Sequence, residues 1–116
     1  MSEHTDFQQQ FDRLDVTMRA ALVFRYREGL PLSHVAQLVD RPVRKLGPAL
    51  DRVLAELRDA GALNPADDSD PAAAVAQELA ALRDDQALSS FNLVRAVRAE
   101  QNRRGLLRGR TMRRFA

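Results

Sequence analysis

Apolar residues recur along most of this chain at the three- and four-residue spacing of a helix face. Phe7, Phe11 and Leu14 form a first short stripe. Asp15 is placed to cap a second helix, whose face runs through Met18, Leu22 and Tyr26 and is widened by Ala21 and Phe24. Gly29 predicts its stop. Pro31 opens a short third helix with Leu32, Val35, Ala36, Leu38 and Val39 on its apolar side, and Asp40-Arg41-Pro42 breaks it. The clearest helical period follows in Val43, Leu46, Leu50, Val53, Leu54 and Leu57, ended by Gly61.

Residues 64–71 are rich in turn formers and predict a linker. Asp70 and Pro71 then read as N-cap and first helical residue. Val75, Leu79 and Leu82 make one further stripe, and Leu88, Phe91, Val94 and Val97 another, with Ser89 or Ser90 as a cap or kink between them. From Asn102 onward two glycines and six arginines predict a basic tail without stable structure. The expected fold is all-α: a helix-turn-helix three-helix unit over 1–63, a linker over 64–71, two further helices over 72–101, and a basic flexible tail over 102–116.

Composition narrows the function. β-branched and aromatic residues are scarce, which favours helix over sheet. The absence of Cys excludes disulfides, thiolate metal sites and a Cys nucleophile, and fits a reducing compartment, so a cytoplasmic location is expected. Residues 1–10 are polar and unlike a signal peptide. No apolar run approaches a membrane span, so no membrane partner is expected. His4 and His34 lack ligand-like companions, and Asp67-Asp68 and Asp84-Asp85 are sequence neighbours rather than facing carboxylates. No Gly-rich phosphate loop or nucleophile elbow is present, so neither a cofactor, a metal site nor an enzyme activity is expected.

The small net charge hides an uneven distribution. Residues 1–63 hold nine acids and nine bases, 64–94 six acids and one base, and 95–116 eight arginines and one acid, Glu100. An acidic middle followed by a basic end points to phosphate contacts by the end, with the acidic stretch as its own counter-charge or simply a solvated surface.

The stretch from Leu14 to Leu38 resembles the opening of region 4 of extracytoplasmic-function-type sigma factors. Leu14, Arg19, Leu22, Arg25-Tyr26, Glu28-Gly29-Leu30, Val35-Ala36, Leu46, Leu50 and Arg52 carry the likeness, which covers about 50 of the 116 residues. Its most specific piece is RYREGL, residues 25–30. The resemblance implies a helix that reads the −35 promoter element and an apolar groove that grips the flap of RNA polymerase.

The departures lie on the reading side. Asp40 stands where the family has Gly in the turn, His34 replaces a usual Glu, and the family's Lys-Ser-Arg is Gly47-Pro48-Ala49. Either the third helix of the motif begins at Pro48 with Gly47 as cap, or it begins near Val43 and runs through the proline. The unbroken apolar phase from Val43 to Leu50 favours the second.

The expected DNA-contacting residues are Arg41, Arg44, Lys45 and Arg52, with Arg103, Arg104, Arg108 and Arg110 of the tail adding phosphate contacts. The first expectation is a small transcriptional regulator that binds double-stranded DNA. The alternative is a protein-interaction module for RNA polymerase, a sigma factor or another partner. A weaker third is a phage-type DNA-packaging adaptor. The apolar stripes after the linker either pack back onto the first helices or form a homodimer interface.

Overall fold

A computed structural model describes the backbone of residues 2–63 and 70–115, and the side chains of 7–63 and 70–104. Six α-helices follow in order, with no strand among the described residues: α1 (Ser2–Arg13), α2 (Val16–Leu22), α3 (Leu32–Val39), α4 (Val43–Asp59), α5 (Pro71–Ala80) and α6 (Ser90–Phe115). A π-helical segment, Val23–Arg27, prolongs α2, and a 3₁₀ turn, Gln86–Leu88, precedes α6.

The helix ends follow local chemistry. Asp15 accepts the Met18 amide at 2.8 Å, an N-cap that contributes about 1 kcal/mol. Asp70 caps α5 by accepting from the Ala73 amide, with Pro71 at the first helical position. Ser89 Oγ accepts the Asn92 amide at 3.2 Å, so Ser89, not Ser90, caps α6. The ends of α3 and α4 share one device. Ala62 donates to Leu57 O across Gly61 (φ 72°), and Arg41 donates to Ala36 O across Asp40 (φ 55°). These are paired left-handed closures in which the Asp bears a strain that Gly would not.

One core joins all six helices. Phe7 and Phe11 stack at 5.7 Å within it, and the run Ala20–Phe24 is buried almost completely. Leu46, Leu50, Val53, Leu54 and Leu57 form the inner face of α4. Val75, Leu79, Leu88 and Val97 are buried in the same core, so α5 and α6 pack back onto the first helices and need no second copy to cover them.

Three expectations change. The segment from Asn102 is not an unstructured tail: helix continues to Phe115. Packing nucleates α6 through Leu93 and Val97, after which propagation costs little, and Arg, Leu and Met are good helix formers that carry it past Gly105 and Gly109. Phe91 is 71% exposed and Leu93 takes its place inside, because α6 is turned so that positions 93 and 97 meet the core. Val43, the first residue of the α4 stripe, is 45% exposed, at the N-terminal end of α4 on the rim of a groove shared with α3.

Candidate nucleic-acid interface

The connection from α3 to α4 is three residues long, Asp40 to Pro42. α4 begins at Val43 and runs unbroken through Pro48 to Asp59, which settles where it starts. Arg44, Lys45, Pro48, Asp51 and Arg52 are all exposed. Positions 44, 48 and 51, and positions 45, 48 and 52, are neighbours on a helix surface. The outward face is therefore a small basic field with Pro48 at its centre and Asp51 at one side.

Pro48 has no amide hydrogen, so the Arg44 carbonyl lacks its i+4 donor and remains an acceptor on the same face. The proline is accommodated because it lies on the solvent side, where its ring and that carbonyl meet water rather than packed side chains. The other two departures from the sigma pattern matter less to this surface. Gly47 and Ala49 are half-buried, and a Cβ at Gly47 would stand 3.4 Å from Leu32 Cδ2 of α3. Of the three altered positions, only Pro48 is exposed.

Arg44, Lys45 and Arg52 make no ion pair or side-chain hydrogen bond among the described residues. Arg41 differs: it is half-buried at the turn, its guanidinium 3.5 Å from the Asp40 carbonyl. It lines a shallow open groove of about 450 Å³ with Ser33, Ala36, Gln37, Pro42 and Val43. Asp51 bears on the half-buried Tyr26, whose phenol is pushed above its ordinary pKa by burial first and by the Asp51 charge second.

The arginines of RYREGL point elsewhere. Arg25 donates to the Leu30 carbonyl at 2.9 Å, closing the loop over Gly29. Arg27, its side chain only 6% exposed, donates to the Leu88 carbonyl at 2.8 Å and pairs with Glu28 at the same distance, while its Nη1 is buried without a partner. The most specific piece of the sequence likeness thus builds the scaffold.

At the other basic end, Arg103 and Arg104 are exposed and both bond to Glu100. Those bonds and charges hold the Glu100 carboxyl below the usual glutamate range. Asp70 and Asp85 of the acidic middle cap helices, Asp67 and Asp68 fall outside the described residues, and the counter-ion of Arg103 and Arg104 is Glu100 on their own helix. The side chains of Arg108 and Arg110 also lie outside the described residues. Sequence reasoning missed Glu100, although its spacing from Arg103 and Arg104, three and four residues, is that of a helical ion pair.

Gln101 was missed as well. Its amide donates to the Val39 carbonyl at 3.2 Å, tying α6 to the end of α3. Among the described residues no group of three or more His, Asp or Glu is placed to hold a metal ion, and no helix is long and apolar enough to cross a membrane. No protein-family model, curated protein or solved structure matches the chain.

Proposed function

We propose that the chain is a small transcriptional regulator that binds double-stranded DNA through a sigma region 4-like helix-turn-helix made of α3, its three-residue turn and α4. The observation that carries this reading is the exposed, unpaired trio Arg44, Lys45 and Arg52 on the outward face of α4. A helix bearing such a face fits the major groove, where Arg and Lys hold phosphates or a guanine edge. Asp51, beside them, accepts from cytosine and repels phosphate, so it discriminates rather than attracts.

A second reading is favoured by Pro48. A proline at the centre of the face and a carbonyl without a donor suit a protein surface better than a base edge. In that case the same face binds RNA polymerase, a sigma factor or another partner.

Fluorescence anisotropy with the DNA upstream of the protein's own gene and an unrelated duplex, at low and moderate salt, separates the two. Preference for its own upstream DNA that persists at moderate salt, and that Arg44→Ala abolishes, supports the regulator. Equal binding to both duplexes removes sequence reading, and the protein-partner reading then takes precedence.

A further inference from the structure

The two basic surfaces are not independent in space. Gln101 of α6 bonds to Val39, the last residue of α3, and the next residue, Asp40, begins the turn into α4. Arg103 and Arg104 follow Gln101 by two and three residues, about 3–5 Å along the helix axis. They lie within one helical turn of an anchor at the α3–α4 corner, while Arg44 and Lys45 stand on the first turn of α4 just beyond it. α6 then continues away as helix to Phe115, carrying Arg108 and Arg110 in sequence.

We propose that the Arg103–Arg104 end of α6 is a second phosphate-contacting surface for double-stranded DNA, continuous with α4 across the α3–α4 corner, with Glu100 as a built-in competitor for the phosphate. This rests on the reading that α4 faces DNA. Glu100 accepts from Arg103 with both carboxylate oxygens and from Arg104 with Oε2, taking up the donors that phosphate oxygens would also use. In the free protein the two arginines share one carboxylate of their own helix, which offsets one of their two charges. On DNA each guanidinium exchanges the carboxylate for a phosphate, and released counter-ions drive the exchange at low salt. Charge chemistry favours DNA over a lipid surface. Residues 98–104, Arg-Ala-Glu-Gln-Asn-Arg-Arg, set no large apolar side chain beside the charges, and a membrane-lying helix needs an apolar side.

The test measures binding of the full chain to an unrelated duplex as a function of salt. Arg103→Ala/Arg104→Ala is expected to flatten the slope of log K against log[salt] by about 1.8, at about 0.9 per phosphate contact. Glu100→Gln is expected to tighten binding several-fold at low salt, with the gain shrinking as salt rises. All three positions are at or near the surface, and an unchanged thermal melt shows that folding is intact. An unchanged slope in the double variant overturns the proposal. So does a loss of binding to anionic phosphatidylserine vesicles in that variant with the DNA slope intact, which would assign the surface to lipid. The α4 reading fails separately, through loss of preference between duplexes with the salt slope unaffected.

Discussion

The π segment at the end of α2 and the outer face of α4 are both rich in basic residues, yet they use them in opposite ways. Arg25 and Arg27 turn inward and end on backbone carbonyls, Leu30 and Leu88, that no helix or sheet ladder would satisfy. Arg44, Lys45 and Arg52 are exposed and make no hydrogen bond or ion pair among the described residues. The first group closes loops and docks the turn before α6; the second holds charge where a partner of opposite sign can reach it. A basic residue in this fold is therefore read by what it touches, not by its place in a motif.

Substitution separates the two regions sharply. Arg27→Ala is expected to have the largest effect, a loss of about 2–4 kcal/mol in thermal or denaturant unfolding, since it strips a buried stem and leaves the Leu88 carbonyl unpaired. Arg27→Met, which keeps the stem and removes the unpartnered nitrogen, should lose clearly less; equal losses would mean that the hydrogen bonds, rather than the packing, anchor this region. Pro48→Ala on the opposing face should instead stabilise by about 1–3 kcal/mol, because the missing helical bond to the Arg44 carbonyl is restored. A denaturant midpoint that does not rise would mean that α4 gives up no stability at its solvent face. Arg44→Ala should change stability by less than about 0.5 kcal/mol while weakening DNA binding. A larger loss of stability would place Arg44 with the scaffold arginines.

How much of this was legible beforehand depends on the reach of the signal. Asp15, Asp70-Pro71, Gly29, Gly61 and the left-handed Asp40 act within four residues, and the chain displays them directly. The period of α4 was strong enough to carry the helix through Pro48. What was hidden needed partners from far along the chain. Arg27 meets Leu88 and Gln101 meets Val39 across about sixty residues, and no local pattern announces either contact. The facing of α6 was misjudged for a related reason: Leu93 and Phe91 are two positions apart in a chain segment apolar on several sides, and only the neighbouring helices decide which one enters the core. For the candidate interface, residue identity on α4 was readable and exposure was not, so the relief of Gly47 and Ala49 from any reading role came from the fold.

The π segment also gives the chain one residue of slack at this point. Glu28 donates to Val23 O, five residues back, so this turn houses one residue more than an α-turn would. Deleting one residue of Val23–Arg27 would let the turn rewind as ordinary helix, with the elements on either side kept close to their present phase. Losing Arg25 or Arg27 itself would still forfeit the contact with the Leu30 or Leu88 carbonyl. Single-residue gaps should thus be absorbed better here, with both arginines kept, than inside α4, where one residue lost turns everything beyond it by about 100°.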